Sequence, residues 1–95
     1  MEKILTIGNN SYDIIENYKE GFNEEEFKSK LTDYFYDYDY VVGDWAYGKL
    51  RLKGFYDANN SKAKELNNYA KVKDYLKNNC AYGCKYFIAK RVYKN

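Results

Sequence analysis

The sequence predicts a small α+β domain with a mainly antiparallel sheet and two helices packed on it. Three observations carry that expectation. Short stretches alternating apolar with polar residues, the mark of half-buried strands, recur along the chain. Two other stretches place apolar residues at helical spacing. With 95 residues there is room for one core and not for a second. In chain order the elements read ββαββαβ, which puts two helices on one sheet face.

Residues 3–7 lean towards a strand, and Gly8-Asn9-Asn10-Ser11 supplies the positive φ angles of a tight hairpin. Residues 12–16 return as the second strand, and 16–21 connect onward. The first helix has the clearest start. Asn23 stands as N-cap with Glu26 three residues later, and Phe22 and Phe27 take the two positions of a hydrophobic staple. Glu24, Glu25 and Glu26 lie at the positive end of the helix dipole, which accounts for the acidic cluster better than a metal site does. Phe27, Leu31, Tyr34 and Phe35 continue one face, so the helix is expected over 24–36.

Residues 39–45 read as a strand around Val41 and Val42, and 49–56 as its partner, with a turn over Gly43–Gly48. Leu50 and Leu52 point one way. Lys49, Arg51, Lys53 and Phe55 point the other. Residues 57–61 form a polar turn cluster, and 62–68 are either loop or helix lead-in. Tyr69, Val72, Leu76 and Cys80 make the stripe of a second helix, with Gly83 as its C-terminal cap. Residues 84–92 close the domain as a last strand around Phe87 and Ile88.

The net charge of +2 hides a lopsided distribution. Residues 1–45 hold 4 basic and 11 acidic side chains, residues 46–95 hold 12 and 3. Either the basic half faces nucleic acid or the acidic half covers it within the fold. The aromatic content of 20% is high, but Lys, Asn and Tyr are all abundant while Arg and Pro are scarce, so part of the tyrosine excess reflects AT-rich codon usage. No apolar run approaches the roughly 20 residues of a membrane span. A cytoplasmic location is expected, and with it two reduced thiols at Cys80 and Cys84.

Much chemistry is excluded. Without histidine there is no Ser-His-Asp or Cys-His nucleophile and no imidazole metal ligand. No glycine-rich phosphate loop occurs. Two cysteines fall short of a four-ligand zinc site, and their spacing is not that of a C-x-x-C redox pair. No cofactor, metal or catalytic residue is expected. Asp44, beside Trp45, is read as a turn carboxylate accepting backbone N–H bonds, although a desolvating ring can also raise a carboxyl pKa into a catalytic range.

What remains is one segment, 38–56, where rings alternate with cations. Lys49, Arg51 and Lys53 with Phe55 share a strand face, and Asp44, Trp45 and Tyr47 lie by the turn. Such a surface stacks on bases and neutralises phosphates. Trp, Tyr and Arg are equally the preferred anchors of protein interfaces. The plain alternative is a solvated strand face whose cations pair with Asp37, Asp39 and Asp44. The expectation is a non-catalytic RNA- or DNA-associated binding protein, with a protein adaptor as the alternative and a thiol or carboxylate enzyme behind both.

Residues 39–55, Asp-Tyr-Val-Val-Gly-Asp-Trp-Ala-Tyr-Gly-Lys-Leu-Arg-Leu-Lys-Gly-Phe, resemble the signature of the YutD-like family, small proteins of low-GC Gram-positive bacteria. Gly21-Phe22-Asn23-Glu24-Glu25 with Phe27 is similar to the family's segment before its first helix. Asp74-Tyr75-Leu76 and Cys80-Ala81-Tyr82-Gly83-Cys84-Lys85-Tyr86-Phe87 are similar to its C-terminal block. Segment 57–70 departs most from the pattern. The resemblance implies a single small domain over residues 1–95 in the cytoplasm and brings no catalytic residues with it.

Overall fold

A computed structural model describes residues 4–7, 10–79 and 84–92. Five strands form one sheet in the order β1-β2-β5-β3-β4, every neighbouring pair antiparallel. The strands are β1 (Ile4–Ile7), β2 (Asn10–Tyr18), β3 (Tyr40–Ala46), β4 (Lys49–Phe55) and β5 (Tyr86–Val92); the helices are α1 (Glu24–Lys30) and α2 (Val72–Asn79). The α+β class and the ββαββαβ order hold. The last strand in sequence is the central one in space, because β5 pairs with β2 on one side and β3 on the other.

The helices do not share a face, contrary to expectation. Phe27 and Leu31 of the α1 segment cluster with Tyr12, Val41, Leu50, Phe87 and Ala89. Val72 and Leu76 of α2 cluster with Tyr40, Val42, Phe55 and Ile88. Val41 and Val42 are adjacent in one strand and so point to opposite faces. One helix therefore covers each side. The sequence already holds the reason: β3 carries apolar residues at consecutive positions, the pattern of a strand buried on both faces.

Several boundaries differ from expectation. β2 is longer, and a bulge shifts its register between Ile14 and Glu16. Tyr12 and Ile14 face α1, but beyond the bulge Glu16 and Tyr18 stand opposite Ile88 and Tyr86 on the α2 face. There Glu16 accepts hydrogen bonds from Lys73 (2.8 Å) and from Tyr86. Helix α1 starts as read, the Asn23 side chain accepting the Glu26 N–H at 3.0 Å and the Phe22 and Phe27 rings lying 5.8 Å apart. It ends at Lys30 rather than 36. Leu31 and the β-branched Thr32 are extended, and a 3-10 turn over Asp33–Phe35 packs Phe35 on the core while leaving Tyr34 exposed.

Residues 57–68 form a loop of successive turns. Asp39 accepts from the Asp57 N–H and from Asn60, and Asp37 accepts from the Tyr56 hydroxyl and from Lys62. A short 3-10 turn over Tyr69–Lys71 leads into α2, and the Tyr69 ring stacks on Tyr40 at 3.6 Å between centroids. The expected turn at Gly8-Asn9, the Cys80 end of the second stripe and the Gly83 cap lie outside the described residues.

Candidate functional site

The β3–β4 hairpin turns in two residues, Tyr47 and Gly48, both at positive φ (54° and 75°), which matches the twist of the flanking strands. The turn is tighter than the expected 43–48, because Gly43 and Asp44 belong to β3. Gly43 serves a close approach: a Cβ there would meet the Phe87 ring at 2.3 Å.

Asp44 is therefore no turn carboxylate. It is 0% exposed, opposite Arg51 in register, and takes a hydrogen bond from Arg51 Nη2 to Oδ2 at 2.5 Å. Tyr75 of α2 donates its hydroxyl to Oδ1 at 3.4 Å. A buried carboxylate needs such partners, because transfer from water is costly without them. The carboxylate holds the Arg51 guanidinium pKa above its ordinary value. Burial, and then the charge of Asp44, push the Tyr75 phenol upward. Arg51 thus spends its charge on a buried anion while its side chain stays 47% exposed.

Phe55 does share the face of Lys49, Arg51 and Lys53, but that face turns inward at its end. The ring is 0% exposed among Val72, Leu76 and Val42, with Tyr75 at 5.5 Å. It is a core residue and cannot stack on a base. The two-sided cover of the sheet is the physical reason. Lys53 lays its ammonium over the Phe55 and Tyr75 rings at 5.3 and 5.7 Å. Beside it opens a cleft of about 460 Å³ between β4, α2 and the 57–68 loop, lined by Lys53, Glu65, Leu66, Lys71, Asp74 and Tyr75.

Trp45 faces the opposite side. Its Nε1 donates to the Gly21 carbonyl at 2.6 Å, and Lys85 sits over its ring at 4.6 Å. It ties the entry of α1 to the hairpin. Tyr47 alone of the predicted aromatics is free in solvent, 103% exposed at the tip. Lys49 is exposed, and neither Lys49 nor Lys53 forms a salt bridge among the described residues.

The predicted set therefore divides. Tyr47 and Lys49 reach solvent, Lys53 is half-buried over the Phe55 and Tyr75 rings, Arg51 reaches solvent already bound to Asp44, Trp45 is a clamp on the other face, and Phe55 and Asp44 are interior. Cys84 is disulfide-bonded, not the expected free thiol. The only other cysteine, Cys80, lies outside the described residues. The thiol expectation rested on compartment alone. Among the described residues no group of three or more Cys, Asp or Glu is placed to hold a metal ion, and no helix is long and apolar enough to cross a membrane.

Residues 6–90 match the family described as "Putative antitoxin YutD-like". The chain belongs to the YutD-like family. It is 44% identical over 91 residues to "Putative antitoxin YutD" of Bacillus subtilis, covering 96% of this chain and all of that protein. The solution NMR structure of the B. subtilis protein yutD has the same fold, with a TM-score of 0.82 at 43% identity over 97% of this chain and 84% of that one. The stretch that carried the YutD-like resemblance, 39–55, is the β3–β4 hairpin, and much of it is architecture: Gly43, Asp44, Phe55 and the Val pair are all interior.

Sequence reasoning missed Leu66, Lys71 and Tyr75. Tyr75 was within reach, since Val72, Tyr75 and Leu76 follow i, i+3, i+4 spacing. Leu66 carried a fainter signal, a lone large apolar residue in the polar run 57–68. Nothing in the sequence folds that loop beside Lys53.

Proposed function

We propose that this chain is a non-catalytic protein-binding protein that acts by holding a partner protein; its B. subtilis relative is named "Putative antitoxin YutD". The observation that carries the reading is Tyr47. A non-glycine residue in the left-handed region costs on the order of 1–2 kcal/mol, and hairpin turns of this type ordinarily use Asn or Gly. Here a tyrosine stands at φ 54° with its whole side chain in water. The fold gains nothing from that ring. Strain kept at an exposed aromatic supports a role in contact, and tyrosine is a preferred anchor of protein interfaces.

The nucleic-acid reading through Lys49, Arg51, Lys53, Trp45, Tyr47 and Phe55 has support from fewer of its residues. Exposed Lys49 next to the Tyr47 turn favours it; the burial of Phe55 and the Asp44–Arg51 pair count against it. The two readings separate by experiment. Tagged chain is isolated from its native host at low salt, and the eluate is split with and without nuclease. The proposal expects one protein in stoichiometric amount, retained after nuclease and at high salt. Recovery of nucleic acid alone, lost steeply as salt rises, would replace it with the second reading.

A further inference from the structure

Among the described residues Asp44 is the one buried charged side chain. A buried ion pair is poor evidence of stability. Desolvating both ions offsets most of their attraction, and an apolar pair of similar volume often serves a fold as well or better. What this pair does give is a fixed arginine. Arg51 Nη2 donates to Asp44 Oδ2 at 2.5 Å, and the Tyr75 hydroxyl donates to Oδ1 at 3.4 Å. A guanidinium has five N–H donors in one plane, more than a single carboxylate oxygen accepts. The Arg51 side chain is 47% exposed, so a fork anchored on the interior still reaches solvent. An arginine held in this way has already given up rotamer freedom that a partner would otherwise have to take from it.

Lys49 and Tyr47 stand beside it. Asp44 is opposite Arg51 and Ala46 opposite Lys49, so Lys49 and Arg51 share a strand face at a separation of about 7 Å. Lys49 is exposed and forms no salt bridge among the described residues. The bond and charge of Asp44 hold the Arg51 pKa above its ordinary value, and the Tyr75 and Tyr47 phenols add to that hold. Tyr47, at positive φ and fully exposed, is therefore within electrostatic reach of the guanidinium. The row of solvent-facing cations ends at Arg51, because Lys53, next on the face, is half-buried over the Phe55 and Tyr75 rings.

We propose that Arg51, held by Asp44, is the anchor that receives a carboxylate side chain of the partner protein, with Lys49 and Tyr47 flanking that carboxylate. The planar donors of a guanidinium match the two oxygens of a carboxylate, and arginine and tyrosine are the frequent hot spots of protein interfaces. Two cations one strand step apart suit a single anion. A nucleic-acid strand carries a charge on every nucleotide and is held by a longer track of cations with rings to stack on, which the burial of Phe55 denies it. Asp44 is then a positioning residue, acting on the partner through Arg51. The inference rests on the reading of the chain as a protein-binding protein and adds to it the partner's chemistry and the residue that recognises it.

The host isolation is repeated with a zero-length carbodiimide, which condenses a lysine amine with a carboxylate in contact with it. Mass spectrometry should find Lys49 joined to an Asp or Glu of the retained protein. That protein, purified, is then bound to variants of the chain. Arg51→Lys keeps the charge and loses the fork. Asp44→Leu with Arg51→Met exchanges the ion pair for an apolar one, and its urea midpoint should exceed that of Arg51→Met alone. Both should bind the partner at least about tenfold more weakly than wild type. Asp44→Asn reads the positioning role: the Arg51 guanidinium NMR signals, slowed by the bond to a buried carboxylate, should average as affinity falls. Averaged signals at unchanged affinity would remove that role from Asp44. Binding within about threefold of wild type in an Arg51 variant, or no carboxylate joined to Lys49, overturns the proposal. If Tyr47→Asn loses the partner while the Arg51 variants keep it, the arginine anchor is wrong and the protein-binding reading stands. If wild-type chain retains no protein, that reading falls and this one with it.

Discussion

Removing the mate of a buried charge strands the charge, and Asp44 offers the sharpest case in this chain. Arg51→Met should destabilise by about 3 kcal/mol in urea unfolding, because it leaves a fully buried carboxylate without its counter-charge. Lys49→Met, two residues away on the same strand face, should change stability by no more than about 0.5 kcal/mol. Equal effects would mean that Asp44 is not held by Arg51. Tyr47→Asn tests the opposite sign. Asparagine tolerates positive φ, so the variant should gain about 1 kcal/mol while losing partner binding. A stabilised variant that still binds would make the tyrosine incidental.

Titration adds a prediction at the same scale. Burial raises the Glu16 pKa, but the bonds from Lys73 and Tyr86 outweigh it and hold the carboxyl below 4.5. The bonds from Lys62 and then Tyr56 hold Asp37 below 3.8. Groups depressed in the fold add stability above their unfolded pKa and lose it as pH falls through the folded value, so stability should decline below about pH 4.5. Tyr38, bonded to Tyr34, and Tyr56, bonded to Asp37, are both pushed up to about 12. Their contribution is complete below pH 10 and is lost as pH approaches 12. Chemical unfolding across pH 3–11 should show both limbs, and Lys73→Gln should soften the acid one.

At the scale of elements, α1 is seven residues long and cannot stand on propensity alone. Asn23→Ala should cost about 1 kcal/mol, read as a lower urea midpoint at unchanged slope. The start of this helix was legible because capping is local: Asn23, Glu26, Phe22 and Phe27 announce it by spacing. Its end was not, since Tyr34 and Phe35 keep helical spacing while the chain has already left the helix for a 3-10 turn. The alternation of Leu50 and Leu52 placed β4 correctly. The bulge of β2 was hidden, because one extra residue leaves no mark on composition but turns Glu16 and Tyr18 onto the α2 face. Covering of both faces decided the candidate site. A strand alternates inward and outward residues only if one side is wet, and here Phe55 on the cationic face is as buried as Leu50 on the other. The rings and cations of 38–56 could be read from sequence; which of them meet solvent depends on α2 and the 57–68 loop, which arrive from farther along the chain.

Over the whole molecule the charge asymmetry is bridged in part by the fold. Residues 20–39, which carry α1 and its flanks, hold seven carboxylates against two lysines; residues 57–79, with α2, hold three against five, and β4 adds Lys49, Arg51 and Lys53 on the α2 side. The basic half is thus not simply buried under the acidic half, although Lys62–Asp37, Lys73–Glu16 and Arg51–Asp44 bridge the two. Tyr47 stands fully exposed at the tip of the hairpin on this side. Placing a photo-crosslinking amino acid in host cells at position 47, and at the exposed Ile4 on the opposite edge of the sheet, tests the account most directly. The account predicts adducts to one protein from 47 and none from 4. Adducts to nucleic acid, or to protein from position 4 alone, would contradict it.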